Sequence, residues 1–305
     1  MEICEAGLAD STNRQYHYIF GSFKRFCEEK NHDNSYSAPV TLCIEYLTLL
    51  FKEDKSYSSI NSARSALSQF VQLSDNVTMD FGKHPLTVKF MKGVFKLRPS
   101  LPRTDSVWDV QILLSALRDV DNSSASMKML SYKCVSLLAI ATGQRVQTLT
   151  ALDITNINRC GDRLSISIEK VLKTTRPGHH ISIDISRFQH EDALCPVLCL
   201  ESYLDRTSSL RSCNQLFIGL NRPHKPVSSQ TLSRWITASL RSSGIHNFTA
   251  HSTRAAATSK AISRTDIDTV LKSAGWSNSR TFAKHYHKPI SDKSICSFTH
   301  AVFSS

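Results

Sequence analysis

Residues 249–289 read TAHSTRAAATSKAISRTDIDTVLKSAGWSNSRTFAKHYHKP, and the interpretation of the whole chain starts from this stretch. His251 and Arg254 are three residues apart, so on a helix they share one face. An arginine offers a planar fork of donors that matches a phosphate, and a histidine can donate a hydrogen bond or move a proton. Trp276 adds an indole N–H, and Tyr286 adds a hydroxyl. Together these side chains predict a site for nucleophilic attack on a phosphodiester.

A second arginine that could complete such a site lies upstream. Residues 137–149 read LLAIATGQRVQTL, an apolar helical run that is broken by Gly143 and followed by Arg145. Taken alone, Arg145 could equally cap a helix C-terminus, where a cation is favoured. His251 alone could be an ordinary hydrogen-bonded histidine, and the tryptophan and tyrosine alone could be core residues. The ordered combination favours the phosphate site.

Four short motifs follow one another along the chain: Thr142-Gly-Gln-Arg145, His251-Ser-Thr-Arg254, Gly275-Trp-Ser277 and Tyr286. This ordered set resembles the tyrosine recombinase, or phage integrase, superfamily. The Gly-Gln-Arg and His-Ser-Thr-Arg motifs are most similar to those of eukaryotic transposon-encoded members of the Crypton or DIRS kind. The resemblance implies a mainly α fold with a small antiparallel β-sheet. In that fold a helical core-binding domain and a catalytic domain clamp double-stranded DNA.

The resemblance implies a role for each candidate catalytic residue. Tyr286 would attack a DNA phosphate and form a covalent 3′-phosphotyrosine. Arg145 and Arg254 would neutralise the negative charge that gathers on the nonbridging oxygens. His251 would hold the same phosphate or assist proton transfer, and Trp276 stands where many relatives have histidine. The nearby positive charges would also favour the ionised phenol, which is the stronger nucleophile.

A catalytic lysine is carried by a β-hairpin in members of the superfamily, where it would protonate the departing 5′ oxygen. Residues 164–168 and 181–185 alternate apolar with polar side chains, which is the pattern of two strands. Between them, residues 170–178 end in a Pro-Gly turn. Lys173 is the predicted catalytic lysine, and Lys170, which is in phase with the apolar face, is the alternative.

The chain departs from the superfamily's pattern at a supporting position. Many members have an acid three residues after the first arginine, and this chain has Thr148 there. Arg145 would then be held by another group, or the site would be tuned differently. The chemistry implied by the resemblance needs no metal and no nucleotide, and the sequence has no Walker loop and no Gly-x-Gly-x-x-Gly motif. We therefore expect no metal and no cofactor.

The first hundred residues predict a helical domain. Apolar residues recur at helical spacing in residues 12–30, 39–50, 56–73 and 85–97. In the fourth helix the predicted inward residues are Val88, Met91 and Phe95. Another face of that helix carries a stripe of lysines that could follow a phosphate backbone or could be an ordinary solvated surface: Lys89, Lys92 and Lys96.

Further DNA contacts are predicted from the third helix and from the segment that follows the fourth. Ser62 and Arg64 belong to a small polar face that suits close approach to a DNA groove, although a solvated face is an equal alternative. Arg98-Pro-Ser-Leu-Pro-Arg103 contains two prolines, which favour an extended linker, and its two arginines could lie along DNA. The predicted division is a core-binding domain at 1–98, a linker at 99–105 and a catalytic domain with a tail at 106–305.

In the catalytic domain we expect a short edge strand at 153–157 and helices at 107–118, 128–142, 196–206, 228–240, 249–262 and 266–273. Ser277 could cap a further helix that carries Tyr286 and ends at Pro289. Residues 295–303 have roughly helical apolar spacing. They could pack on their own domain or, as the resemblance implies, on a neighbouring protomer. A homo-oligomer on DNA, from dimer to tetramer, is therefore expected.

Charge and composition agree with a polyanionic partner. The net charge is +11, of which residues 1–103 contribute +2 and the remainder +9. A surplus of this kind favours nucleic acid over a neutral partner. No apolar run approaches the roughly 18–20 residues of a membrane span, and the acidic start lacks a signal-peptide core. We expect the protein in the nucleus if it is eukaryotic and in the cytoplasm otherwise.

The nine cysteines do not indicate a disulfide scaffold or a zinc site. The count is odd, and no Cys-x-x-Cys occurs. Cys195, Cys199 and Cys213 near His190 have a spacing that fits no common zinc site. A buried helix face explains Cys195 and Cys199 more simply.

Three other interpretations remain open from the sequence. A domesticated DNA-binding protein of the same fold could have lost its activity, although all the expected active groups are present. A type IB topoisomerase would use the same tyrosine chemistry to relax supercoils. A plain helical DNA-binding module would leave the spacing of the four motifs to coincidence.

Overall fold

Apolar side chains form separate cores in two parts of the chain, residues 1–103 and 104–305, in the computed structural model. Each unit is described by itself. Within the described part of the chain, no helix has both the length and the apolar character that crossing a membrane requires. The structure describes residues 7–75, 79–100, 106–172, 175, 178, 181–276, 280, 282–283 and 286.

The first unit packs its helices around an aromatic core. These helices are α1 (Asp10–Glu29), α2 (Val40–Lys52), α3 (Tyr57–Phe70) and α4 (Pro85–Leu97). Apolar residues of α1 recur every three or four positions, so Phe20, Phe23 and Cys27 all face inward and are buried. The Phe23 ring lies 5.3 Å from the ring of Tyr46 in α2. The four helices expected in this region are therefore present.

The third helix is shorter than predicted. It ends at Phe70 rather than at residue 73, and Gln72–Leu73 form a strand, β2, that pairs in parallel with β1 (Ser37–Ala38). The backbone N–H of Gln72 donates to the carbonyl of Tyr36 at 2.8 Å. Strand pairing therefore takes over the hydrogen bonds that a longer helix would have made.

The predicted inward face of α4 was wrong for two residues. Val88 and Phe95 are 39% and 48% exposed, whereas Thr87, Met91 and Val94 are buried. The predicted and the buried sets share Met91. On each side of it, the buried residue is one position earlier in the chain than the predicted one. Burial follows the set that faces α2 and α3, against which α4 packs.

The second unit contains most of the helices and a three-stranded sheet. Its helices are α5 (Val110–Arg118), α6 (Met127–Thr142), α7 (Val146–Thr150), α8 (Pro196–Thr207), α9 (Ser229–Ser242), α10 (Ala250–Ile262) and α11 (Ile267–Ala274). Its strands are β3 (Ile157–Cys160), β4 (Arg163–Ile168) and β5 (Ile181–Ser186). The fold class predicted from the sequence, mainly α with a small antiparallel sheet, is confirmed.

Helix α6 lies at the centre of this unit. It packs against α8 and α9, and Leu130, Cys134 and Leu138 are fully buried. Lys133 is also buried, and its ammonium group donates to the carbonyl of Val120. Burial lowers the pKa of Lys133. The prediction of a central, largely apolar helix is confirmed.

The sheet follows the order β3–β4–β5, and both pairs of strands are antiparallel. Alternate apolar residues of β4 and β5 face the core, as the sequence predicted. The edge strand was predicted at 153–157 but occupies Ile157–Cys160. Residues Ile154–Asn156 form a 3-10 turn instead, because the carboxylate of Asp153 accepts the N–H of Thr155 at 2.9 Å.

The ends of α9 and α11 are set by local capping. Ser228 caps α9 by accepting the N–H of Thr231 at 3.3 Å, and Asp266 caps α11 by accepting the N–H of Thr269 at 2.8 Å. The hydrogen bonds from Thr269 lower the pKa of Asp266. Gly275 ends α11 in a left-handed conformation. The predicted cap at 277, the helix end at 289 and the tail at 295–303 lie outside the described residues.

Candidate active site

The turn after α6 is the point at which α6, α10 and α11 meet. Gly143 ends α6 with a φ of +58°. A Cβ at this position would lie 3.2 Å from Cγ2 of Thr258 in α10 and 3.4 Å from Cβ of Ala274 in α11. Glycine is therefore required both by the backbone conformation and by the closeness of the two helices.

Arg254 points from α10 into this turn and is 1% exposed. Its Nη1 donates to the carbonyl of Gly143 at 2.5 Å, and its Cζ lies 3.8 Å from the centroid of the Trp276 ring. Among the described residues, its buried Nε and Nη2 atoms have no hydrogen-bond partner. Burial and then the charge of Arg145 lower the pKa of Arg254 to about 10, while Tyr286 acts in the opposite direction. The guanidinium therefore stays charged at neutral pH.

The Trp276 ring stacks on the Arg254 guanidinium and forms a second layer of this site. Its backbone N–H donates to the carbonyl of Leu271 at 2.9 Å, which fixes it at the end of α11. Its ring lies 5.2 Å from the ring of Phe282 and 4.7 Å from that of Tyr286. The indole Nε1 is buried and makes no hydrogen bond within the described part of the chain. It is a third unpaired donor, beside the two on Arg254.

Tyr286 is half-buried, and its ring faces three of the other candidates. The centroid lies 5.9 Å from the ring of His251, 4.7 Å from that of Trp276 and 5.4 Å from Cζ of Arg254. Its N–H donates to the carbonyl of Phe282 at 2.8 Å, a hydrogen bond of helical spacing. The carbonyl of Tyr286 accepts from Oγ of Ser259 in α10 at 2.8 Å, so the tyrosine is tied to the helix that carries Arg254.

His251 lies in the first turn of α10 and is exposed. One side of its ring nevertheless faces Tyr286. Partial burial lowers the pKa of His251 most, and the positive charges of Arg254 and Arg145 lower it further. The imidazole is therefore kept neutral at pH 7 and can accept a proton.

The turn of α10 that carries this histidine is held by the start of the second unit. Nε1 of Trp108 donates to Oγ of Ser252 at 2.8 Å, and that hydroxyl donates to the carbonyl of Thr249 at 2.7 Å. Further along α10, Nζ of Lys260 lies 3.7 Å from the carboxylate of Asp109. Sequence analysis missed Trp108, and it also missed Ser259, which lies in α10.

Arg145 is half-buried and forms the N-cap of α7. Among the residues that the structure describes, no hydrogen bond to its guanidinium is found. It lines an open cleft of about 380 Å³ together with Val146, Gln147, Ser229, Gln230, Ser233 and His251. Thr148, at the position where many members of the superfamily have an acid, is buried in α7 and donates its N–H to the carbonyl of Arg145 at 2.9 Å.

The structure thus brings five predicted catalytic residues into one region: Arg145, His251, Arg254, Trp276 and Tyr286. Lys173 lies outside the described residues, and Lys170 is exposed beyond the end of β4. The two arginine charges and the three unpaired donors form a site suited to an anion. Of the residues described, no three His, Cys, Asp or Glu side chains are grouped so that they could hold a metal.

The residues predicted to bind DNA in the first unit differ in their surroundings. Lys89, Lys92 and Lys96 are exposed on α4. The guanidinium of Arg98 donates to the carbonyls of Lys55 and Phe51 and to the carboxylate of Asp54, and it stacks on the Phe51 ring at 4.3 Å. This arginine therefore caps the C-terminus of α2.

Two other predicted contacts in the first unit are partly used in packing. Nη1 of Arg64 donates to the carbonyl of Gly82 at 3.3 Å, and its Nε is buried without a described partner. Ser62 is half-buried. Arg103 lies outside the described residues.

Comparisons with solved structures show which known proteins share this fold. The fold is similar to that of the XerH site-specific recombinase bound to palindromic difH substrate (TM-score 0.56, 14% identity, 80% of this chain and 67% of that chain). It is similar to a lambda integrase dimer bound to a COC′ core site (TM-score 0.57, 19% identity, covering 94% of this chain and 74% of that chain). It is also similar to the Tn1549 transposon integrase in complex with transposon right end DNA (TM-score 0.56, 13% identity, covering 87% of this chain and 84% of that chain).

Sequence comparison gives the family directly. No curated protein matches the chain. The model of the phage integrase family matches residues 109–291, which include every candidate catalytic residue. The resemblance to the tyrosine recombinase superfamily inferred from the motifs is therefore confirmed, and the chain belongs to the phage integrase family.

Proposed function

We propose that the protein is a site-specific recombinase or integrase that breaks and rejoins double-stranded DNA through a covalent 3′-phosphotyrosine at Tyr286. The observation that carries the proposal is the set of three buried N–H donors, on Arg254 and Trp276, that have no partner among the described residues and lie beside the Tyr286 ring. An unpaired buried donor costs about 1–3 kcal/mol, so such a set indicates that a ligand completes it. A backbone phosphate supplies both the charge and the acceptor oxygens.

The proposed chemistry assigns each atom a place. Oη of Tyr286 attacks phosphorus, and the bond from phosphorus to the 5′ oxygen breaks. Arg254 and Arg145 hold the nonbridging oxygens, whose negative charge grows in the transition state. Neutral His251 takes the phenolic proton or holds it through a hydrogen bond, and Lys173 protonates the departing 5′ oxygen. The 5′ hydroxyl of another strand then attacks the phosphotyrosine and restores the tyrosine, so no metal and no cofactor is consumed.

Binding to the duplex is proposed to involve the first unit as well. Lys89, Lys92 and Lys96 are exposed on one helix and are suited to contact phosphates, and Arg103 of the linker is proposed to join them. The three lysines are the stronger candidates, because the Arg98 side chain already caps α2. Lambda integrase has been solved as a dimer on a core site and as a tetramer on a Holliday junction. We propose that this chain also acts as a homo-oligomer on DNA.

The origin proposed for the protein is a eukaryotic transposon of the Crypton or DIRS kind, which would place it in the nucleus. The Gly-Gln-Arg and His-Ser-Thr-Arg motifs support this assignment. Imaging of the protein in its source cells tests the location, and exclusion from the nucleus would contradict the proposal.

The central experiment is a test for the covalent adduct. Duplexes that the full chain binds are first selected from random-sequence DNA, and nicked suicide forms of them are then incubated with the protein. The unmodified chain should give a covalent adduct, and Tyr286→Phe should abolish it. Tyr132→Phe is the matched control, because the Tyr132 ring packs on that of Trp235 at 5.8 Å and, within the described residues, on no ring of a proposed catalytic side chain. An undiminished adduct in Tyr286→Phe would reject Tyr286 as the nucleophile.

The same reagents separate the alternatives. Salt-dependent DNA binding without any adduct would indicate a domesticated protein that has lost its activity. Relaxation of supercoiled plasmids that lack the selected sequence would indicate a topoisomerase. Binding that does not weaken with salt would contradict a phosphate-contacting DNA interface altogether.

A further inference from the structure

The middle residue of the Gly-Gln-Arg motif has no role in the proposed chemistry, yet its side chain is buried in the site. Gln144 is 7% exposed. Its Nε2 donates to the carbonyl of Ser273 at 2.8 Å, and its own N–H donates to Oγ1 of Thr142 at 3.3 Å. The amide of Gln144 therefore bridges the turn after α6 to the end of α11.

Among the described residues, the carbonyl that Gln144 binds has no partner within its own helix. At the end of α11, the N–H of Gly275 donates to the carbonyl of Lys272 and that of Trp276 donates to the carbonyl of Leu271. The carbonyl of Ser273 belongs to the last turn and needs a donor from outside the helix. A Cβ at Gly275 would lie 3.6 Å from Nε2 of Gln144, so the amide is directly beneath the residue that precedes Trp276.

Two neighbouring residues of one turn thus hold the Arg254 guanidinium and the Trp276 ring that stacks on it, which are the two layers of the stack. The carbonyl of Gly143 binds Arg254, and the side chain of Gln144 binds the segment that ends in Trp276, whose ring lies 3.8 Å from the Arg254 guanidinium. A displacement of either layer would separate the three unpaired donors. We propose that Gln144 is a positioning residue that sets the Trp276 ring over Arg254.

The consequence for catalysis rests on the proposed function, whereas the consequence for the position of Trp276 does not. Gln144→Met keeps an unbranched side chain of similar length and removes the donor. A misplacement of about 1 Å in an active site can cost about 100-fold in rate, so we expect adduct formation to fall by about 10- to 100-fold. Gln215→Met is the matched control, because Nε2 of Gln215 also donates to a backbone carbonyl, that of Val227 at 2.8 Å, at another place in the same unit.

The position of Trp276 is measured by fluorine NMR of the full chain labelled with 5-fluorotryptophan. The three tryptophans give three signals, and Trp276→Phe identifies the signal of Trp276. Gln144→Met should shift that signal and leave those of Trp108 and Trp235 in place. Gln215→Met should move neither the Trp276 signal nor the rate of adduct formation.

A second variant keeps the test decisive if Gln144→Met does not fold. In Gln144→Glu a protonated carboxyl can donate to the carbonyl of Ser273, whereas an ionised one cannot. The Trp276 signal should therefore move towards the wild-type position as the pH is lowered.

The outcomes separate this inference from the proposed function. An unmoved Trp276 signal in both variants, with adduct formation within twofold of wild type, would overturn the inference. A lowered thermal midpoint with an unmoved signal would also overturn it, because it would show a purely structural role. If the unmodified chain forms no adduct, the proposed function fails, and the NMR result still decides the role of Gln144.

Discussion

Replacing Arg254 by methionine should abolish strand cleavage and leave the folded protein almost as stable as before. In the free protein, burial and the charge of Arg145 lower the pKa of Arg254 from 12.5 to about 10. At about 1.4 kcal/mol per pKa unit, this corresponds to about 3 kcal/mol that opposes the charged side chain. Methionine removes that cost and fills much of the same space.

The interactions that are lost on substitution act in the opposite direction. The carbonyl of Gly143 loses its donor, which costs about 1–3 kcal/mol for a buried group. Loss of the contact between the guanidinium and the Trp276 ring costs up to about 2 kcal/mol. These losses nearly cancel the gain, so we expect the free energy of unfolding to change by less than about 2 kcal/mol.

Arg211 provides the matched comparison, since its hydrogen bonds are satisfied. Its Nη1 donates to the carbonyl of Gln215 at 2.9 Å, and its Nη2 donates to Oγ1 of Thr207 at 2.7 Å and to the carbonyl of Leu216 at 3.0 Å. Arg211→Met would leave these acceptors without their donor. We expect it to cost about 3 kcal/mol or more.

The measurement is urea unfolding followed by tryptophan fluorescence. All three tryptophans lie between residues 104 and 305, so the signal reports the second unit alone. In the suicide-duplex assay, Arg254→Met should lower adduct formation by at least about 100- to 1000-fold. Arg211→Met should stay within a few-fold of wild type under conditions in which it is folded.

One result would refute this reasoning. If Arg254→Met loses as much stability as Arg211→Met, then the Nε and Nη2 atoms of Arg254 are satisfied by the protein in solution. No ligand would then be needed to complete this site, whatever the effect of the substitution on cleavage.

Three further predictions follow from the same site. Gly143→Ala should lower the free energy of unfolding by about 2–4 kcal/mol, because it adds close contacts to the backbone cost of about 1–2 kcal/mol for a left-handed residue. Gly244→Ala has a φ of +85° and open space around it, so urea unfolding should show the backbone cost alone. Ser259→Ala should slow adduct formation about tenfold, because the carbonyl of Tyr286 loses its tie to α10. Cleavage should fall on acidification with a midpoint below pH 6.5, because the pKa of His251 is lowered and its neutral form is required. In the same pH range the unfolded chain binds more protons than the folded one, so stability should also fall as the pH drops.

Each of these has a contradicting result. Equal losses in the two glycine variants would show that α10 and α11 can move away from residue 143. A wild-type rate in Ser259→Ala would show that Tyr286 is positioned by other contacts. A cleavage rate that rises on acidification would show that protonated His251 is the active form.

The sequence was informative wherever a local pattern decides the structure. The alternation of apolar and polar residues predicted β4 and β5, and the helices predicted at 228–240 and 266–273 are present within one or two residues of their expected ends. It was not sufficient for α4, where two apolar stripes pass through Met91 and only the packing partners select between them. At residue 153 a single carboxylate that caps a turn displaced the predicted edge strand.

The positioning residues to which sequence analysis gave no role have partners far along the chain. Trp108 binds a residue 144 positions away, Gln144 one 129 positions away, and Ser259 one 27 positions away. No local pattern distinguishes these side chains from ordinary core or surface residues. The candidates that were identified were found through the order of the motifs, which the resemblance supplied, and their catalytic roles stay predictions.

The hydrogen bond from Trp108 to Ser252 has a practical consequence for anyone who isolates the catalytic part of the chain. The match to the family begins at residue 109, so a fragment cut at that border would leave out the indole that braces the first turn of α10. Such a fragment would retain every side chain that we propose to take part in catalysis and still hold His251 loosely. A border placed ahead of Val107 keeps the brace in the fragment.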